Sequence, residues 1–262
     1  MTESHSPLHI VLVHGAWQGS WAFDAWRPHL VQRGFSVHAV DLPGNKWPPR
    51  GDEAADLPSY TQAVLEVLDA IDEPAVVVGH SGGGITVSQV AQERPDKVRA
   101  LVYLAGMMLP SGMSFVDLIH DVQARHPGKD FGGITPFLDW NDDRSESSVR
   151  AEGALKCFVQ DCEPKAAQAA AGLLRAQPET GRDMRNVLTA ERFGRVPRIY
   201  VECRDDQSVF VELQRRMQEL TPGATRIEMA CGHVPQLADP AGLTRALVAA
   251  LGKLDRAASS AA

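Results

Sequence analysis

A chain of 262 residues with 44% apolar and 23% charged residues can bury one sizeable core, and these proportions are those of an ordinary globular domain. A formal net charge of −7 with no Lys/Arg cluster excludes a nucleic-acid partner, because such binding relies on cations that displace counterions from phosphates. No apolar run reaches bilayer-spanning length, and Met1–Pro7 lacks a cationic start followed by an apolar core; the expectation is a cytoplasmic protein with a small-molecule partner and no membrane contact.

The run His9-Ile10-Val11-Leu12-Val13 reads as a strand buried on both faces of a parallel sheet, ending at a loop His14-Gly15-Ala16-Trp17. Helical spacing covers Trp21–Arg33, with Trp21, Ala25, Leu30 and Val31 on one face and Gly34 as the stop. Ser36–Leu42 is the next strand, Pro43–Pro58 an irregular loop, and Ser59 the cap of a helix over Tyr60–Ile71. A strand over Pro74–Gly79 then feeds Gly79-His80-Ser81-Gly82-Gly83, a Gly-x-Ser-x-Gly pattern, before a helix over Ile85–Glu93 and a strand over Val98–Leu104. A serine in such a strand-to-helix turn points out of the sheet edge, and Gly79 and Gly83 remove side chains that would collide. A phosphate cradle is excluded: there is no Gly-Lys-Ser/Thr ending and no dinucleotide spacing of glycines.

From Leu109 to Arg195 the alternation stops, leaving helical patterns over Ser147–Val159 and Lys165–Arg175 and no strand-like run. This predicts a mainly helical lid, residues 109–195, inserted into an α/β core of residues 1–108 and 196–262, a parallel sheet flanked by helices. Met107, Met108, Phe131, Phe137, Trp140 and Phe158 are candidate walls of a substrate pocket. The strand pattern resumes over Arg198–Cys203, a helix follows over Val209–Leu220, and a last strand over Thr225–Met229 leads to Cys231-Gly232-His233. Asp239-Pro240 opens the terminal helix.

Ser81, an aspartate at 205 or 206, and His233 thus stand at the carboxyl ends of three predicted strands, in the chain order Ser, Asp, His of an α/β-hydrolase. Serine needs an imidazole to remove its proton, and the imidazole needs a carboxylate to fix its tautomer and stabilise its charged form. His14 and His80 suit supporting hydrogen bonds, and Asp205 and Asp206 are not separated by this logic. In this fold the loop after the first strand and the residue after the nucleophile supply the oxyanion-hole amides, which assigns Ala16 and Gly82. No metal-binding pattern occurs, no cofactor is expected, and Cys157, Cys162, Cys203 and Cys231 read as free thiols.

With those residues in place, the chain resembles the α/β-hydrolase family that contains plant salicylate-type methyl esterases, hydroxynitrile lyases and related bacterial esterases. The resemblance runs through Val11-Leu12-Val13-His14-Gly15-Ala16-Trp17 with Gly19 and Trp21, through Gly79-His80-Ser81-Gly82-Gly83-Gly84, and through Arg198 to Asp206. It selects Asp206, third after Cys203, as the acid and puts the family's last-strand histidine at His233. The stretches Phe158–Pro164 and Leu173–Pro178 are similar to bacterial members especially. One lyase branch carries threonine at the position of Gly15 and lysine at that of Val234, and another carries asparagine at that of Gly15; neither pattern is present. Gly82 stands where a larger side chain is frequent, leaving room beside Ser81 for a bulkier acyl group. The resemblance therefore implies a serine esterase that cleaves carboxylic esters of small to medium apolar or aromatic acids through an acyl-enzyme. The expected pocket includes Gly15, Trp17, Met107, Phe137, Trp140 and Val234, and family analogy suggests a homodimer. The alternatives are a hydroxynitrile-lyase-like or other cofactor-free lyase, or a slow-turnover small-molecule binding protein on the same fold.

Overall fold

Buried β-branched runs alternate with amphipathic helices through both ends of the chain, in a computed structural model that describes residues 8–45, 54–71 and 73–261. The first part runs β1 (His9–Val13), α1 (Arg27–Val31), β2 (Ser36–Val40), α2 (Leu57–Asp69), β3 (Ala75–His80), α3 (Gly83–Glu93) and β4 (Val98–Leu104). Between β4 and the next sheet strand lie α4 (Phe115–Arg125), β5 (Leu138–Trp140), β6 (Glu146–Val149), α5 (Ala151–Cys157), α6 (Pro164–Leu173) and β7 (Gln177–Pro178). The chain closes with β8 (Arg198–Cys203), α7 (Val211–Leu220), β9 (Ala224–Met229), α8 (Pro235–Ala238) and α9 (Pro240–Ala261).

The six expected strands form one parallel sheet in the order β2-β1-β3-β4-β8-β9. The chain steps outward from β1 to β2 and then returns to the other side of β1 for β3. At such a reversal the loops leaving the two central strands diverge and open a crevice at their carboxyl ends. Residues alternate between two faces. Ile10, Leu12, Val76 and Val78 pack with Trp26, Leu30, Leu243 and Leu247, while Val11, Val13, Val77 and Leu101 pack with Val64, Leu68, Val87, Val90, Leu213 and Met217. Each fully buried aliphatic side chain stabilises the fold by about 1.5–3 kcal/mol, so this two-sided core holds the crevice rigid.

Local chemistry moves several element boundaries. The helix expected over Trp21–Arg33 is instead a 3-10 turn, Ser20–Phe23, followed by the short α1, because Pro28 in the first turn of α1 has no N–H to continue an earlier helix. Trp26 and Leu30 face the core, whereas Val31 is 58% exposed. Asp56 caps α2 in place of Ser59: its carboxylate accepts from the Ser59 amide, and the Ser59 hydroxyl accepts from the Asp56 amide. Of the loop expected over Pro43–Pro58, residues 46–53 lie outside the described residues. The regular elements of residues 109–195 are mostly helices, joined by irregular chain, but they also include the three-stranded sheet β5-β6-β7, with antiparallel pairs Leu138↔Val149 and Ser147↔Gln177. These strands run only two to four residues, too short for alternation to show. Among the described residues no helix is long and apolar enough to cross a membrane.

Candidate active site

The turn from β3 to α3 places Ser81 at φ +51°, a left-handed conformation that non-glycine residues rarely adopt. Such strain costs about 1–3 kcal/mol and persists because neighbours hold it. The Ser81 amide donates to the Leu104 carbonyl (3.2 Å), and its carbonyl accepts from Gly84 (3.0 Å) and Met107 (2.9 Å). The start of α3 lies hard against the sheet: a Cβ on Gly79 would stand 2.7 Å from the Gly83 carbonyl oxygen, and one on Gly83 2.6 Å from that of His14. The N-terminal end of α3 therefore sits beneath the serine, where its partial positive charge favours a developing oxyanion.

The loop after β1 faces the turn across the crevice. A Cβ on Gly15 would fall 2.7 Å from the Ser81 Cβ, so any side chain there would press on the serine. On the other side, a Cβ on Gly82 would meet only the Ala16 nitrogen, at 3.8 Å. The space beside Ser81 that the sequence suggests at Gly82 is thus open. Neither the Ala16 nor the Gly82 amide has a hydrogen-bond acceptor among the described residues.

Asp206 follows β8, and its carboxylate is almost fully buried, with Oδ2 2.7 Å from His233 Nδ1. Its Oδ1 accepts from the amides of Ser208 (2.7 Å) and Val209 (2.9 Å), and Gln214 Nε2 reaches Oδ2 at 3.4 Å. Gln214 is fastened in turn to both the amide and the carbonyl of Cys203. Asp205 is exposed and faces Arg204, so of the two aspartates it is Asp206 that meets the histidine. His233 lies between the Phe158 ring, stacked at 5.3 Å, and the His80 ring, at 4.8 Å. His80 Nε2 lies 2.9 Å from the His233 carbonyl oxygen, and its Nδ1 lies 3.0 Å from the Gln18 side chain. Burial, followed by the neighbouring His233, pushes the His80 pKa well below the ordinary histidine range, so the ring is neutral and donates through one nitrogen. His14 is held below that range by burial as well; its Nδ1 lies 2.8 Å from the Gly15 carbonyl, while its Nε2 accepts from the Leu42 amide. Both histidines brace the loops, as their sequence positions suggest. Ser81 and His233 line the same cavity, although no hydrogen bond joins the Ser81 hydroxyl to His233 among the described residues. Catalytic hydrogen bonds are often long before substrate is bound.

The inserted segment grips the first loop at Trp17, another non-glycine residue with positive φ (+60°). The Gln177 side chain accepts from the Trp17 amide (2.6 Å), and the Arg175 amide donates to the Trp17 carbonyl (3.0 Å). The indole N–H donates to Ser147 (3.2 Å), and the Arg182 guanidinium lies 4.3 Å above the ring. Gln177 also donates to the Tyr60 hydroxyl and to the Gly181 carbonyl, leaving its amide fully used. Sequence reasoning missed Gln177, Gln18 and Gln214 as supports; only Gln177 lay in a stretch marked by family resemblance, Leu173–Pro178.

Ser81, His233, Ala16 and Gly82 open into one cavity of about 150 Å³ whose walls include Phe115, Val116, Ile119, Phe131 and Phe158, with Glu179 and Arg182 among its polar lining. Gly15, Trp17 and Met107 line it as expected. Phe137, Trp140 and Val234 do not. Phe137 covers Gly153 and lies under the cations of Arg150 and Lys156, Trp140 is sandwiched near Arg144 and Arg182, and Val234 walls a separate small cavity with Phe158. Met108 is buried in the core. Among the described residues no group of three His, Cys, Asp or Glu side chains is placed to hold a metal ion.

Comparisons with known proteins agree with this fold. The model of the "Alpha/beta hydrolase family" matches residues 10–246. A pyrethroid hydrolase of Sphingobium wenxiniae is 28% identical over 246 residues, covering 91% of this chain and 85% of that protein. Salicylic acid-binding protein 2 of Nicotiana tabacum is 29% identical over 250 residues, covering 92% of this chain and 95% of that one. The crystal structure of a pyrethroid hydrolase from Sphingobium faniae superposes with a TM-score of 0.79 at 27% identity, covering 92% of this chain and 96% of that one.

Proposed function

We propose, from the premise that this chain belongs to the alpha/beta hydrolase family, that it is a serine esterase cleaving carboxylic esters of small to medium apolar or aromatic acids through an acyl-enzyme. The observation that carries the reading is the convergence, on one largely apolar cavity, of a strained serine, two uncommitted amides and a histidine backed by a buried carboxylate.

Ser81 Oγ attacks the ester carbonyl while His233 Nε2 takes its proton. Asp206, bonded to Nδ1, holds the tautomer that leaves Nε2 free and stabilises the imidazolium that forms. The carbonyl oxygen becomes an oxyanion and accepts from the Ala16 and Gly82 amides. His233 then protonates the departing alkoxide; water attacks the acyl-enzyme with His233 again as base, and the carboxylic acid is released. The segment 109–195 acts as a lid, with Phe115, Phe131 and Phe158 providing apolar walls. Four free thiols support a reducing, cytoplasmic setting.

The test is intact-protein mass spectrometry after incubation with a fluorophosphonate, beside turnover of p-nitrophenyl esters of graded acyl length. The wild type should gain one phosphonyl group and hydrolyse short or aromatic esters. Ser81→Ala should abolish labelling and lower kcat by several orders of magnitude with an unchanged melting temperature. Labelling with no turnover of any ester, or retained labelling in Ser81→Ala, would refute the assignment.

A further inference from the structure

Among the described residues, the lining of the Ser81 cavity contains one buried side-chain polar atom without a hydrogen-bond partner. Thr86 is fully buried on α3 and borders the cavity, yet its hydroxyl oxygen has no hydrogen-bond partner among the described residues. Buried helical hydroxyls ordinarily bond back to the carbonyl four residues earlier. In this protein Thr61 does so to Leu57 (2.7 Å), Ser88 to Gly84 (2.8 Å) and Thr244 to Pro240 (2.7 Å). Thr86 makes no such bond, and among the described residues the Gly82 carbonyl accepts only from the Ile85 amide. An unmet buried hydroxyl is destabilising, whereas valine at the same volume would leave nothing unmet.

The cavity that Thr86 borders has apolar walls that include Met107, Phe115, Ile119 and Met184. We propose that Thr86 is a specificity-determining residue whose hydroxyl hydrogen-bonds a heteroatom, an ether or carbonyl oxygen, carried on the buried arm of the ester. The inference rests on the esterase reading of the site and deepens it: the preferred substrate is an apolar ester with one such acceptor within the arm, rather than a plain hydrocarbon ester. Thr86 lies early in α3, five residues beyond Ser81 in the chain, and both line the same cavity, so the acceptor belongs a few bonds from the scissile carbonyl.

The test uses two matched sets. One is p-nitrophenyl hexanoate with its 3-, 4- and 5-oxa analogues; the other is the acetate esters of hexanol and of its oxa analogues. The quantity read is the ratio of kcat/KM for each oxa ester to its hydrocarbon parent in wild type, Thr86→Val and Thr86→Ser, which cancels intrinsic ester reactivity between variants. In at least one set the wild-type ratio should peak at one oxygen position. At that position Thr86→Val should lower it by about fivefold to tenfold, mainly through gained activity on the parent, while Thr86→Ser keeps it. Calorimetric binding of 2-octanone and its oxa analogues to the same variants reads the preference without turnover, so it stands even where the esterase reading fails. Ratios and ketone affinities equal in wild type and Thr86→Val at every position would overturn the proposal. Loss of turnover together with absent fluorophosphonate labelling would instead overturn the esterase reading, leaving the ketone series to decide on Thr86.

Discussion

Asp206 carries its charge almost out of contact with water, and the amides of Ser208 and Val209 that replace water also aim it at His233. An amide in its place would keep the shape while offering the imidazole a donor, selecting the tautomer in which Nε2 holds the proton. Asp206→Asn should therefore lower kcat by about four orders of magnitude, as the same tautomer change does in serine proteases, with melting and substrate binding far less affected. Equal steady-state rates in the variant would remove Asp206 from the mechanism. His14 and His80 give a second expectation. Burial holds both below the ordinary value of 6.5, so the unfolded chain takes up protons below that pH that the folded chain refuses. Their contribution vanishes above about pH 6.5; below it stability falls by up to about 1.4 kcal/mol per pH unit for each ring until its folded pKa is reached. Thermal unfolding followed between about pH 8 and pH 4 should show this loss, with a shallower slope in His80→Asn. Identical slopes would show that His80 is not the group excluded from protonation.

Between elements, the decisive contact is the hold that the inserted segment keeps on the loop after β1. Gln177 at β7 and Arg175 just before it take the Trp17 amide and carbonyl, which fixes the peptide adjoining Ala16 in a conformation that costs energy by itself. Gln177→Leu should free that peptide and let the Ala16 amide wander. Removing an oxyanion donor outright costs about 100-fold to 1000-fold, so loosening one should lower kcat by about tenfold while KM stays within about twofold. Steady-state kinetics on the best p-nitrophenyl ester, with the fluorophosphonate labelling rate as a second readout, checks this. A change in KM alone would reassign Gln177 to substrate binding. This element-scale coupling is also where sequence reading had least purchase. Ser81 and His233 announce themselves because a strand, a turn and glycines surround them in the chain. Gln177 is an uncharged residue in a strand of two residues, and its importance comes entirely from what lies across from it.

For the molecule as a whole, the parallel sheet, its two-sided core and the placement of the reactive residues were legible because buried strands are continuous apolar runs and the sheet edge collects their loops. What stayed hidden followed from the same physics. Short strands in residues 109–195 have no period, and the cavity walls were misassigned at Phe137, Trp140 and Val234 because side-chain direction in an irregular segment depends on partners distant in sequence. Distance along the chain has one further consequence. Trp17 and its clamp Gln177 are 160 residues apart, and His80 reaches the His233 carbonyl across 153. On the ribosome Ser81 emerges early, the loop after β1 must wait for Gln177, and His233 arrives only after β9. Growing chains stalled at increasing lengths should therefore ignore a fluorophosphonate until α9, whose Leu243 and Leu247 complete the core, has cleared the exit tunnel, and then become reactive in a single step. Earlier labelling would mean that the serine is activated without its histidine. Synthesis in this order would keep the proposed nucleophile silent until the whole fold is present to contain it.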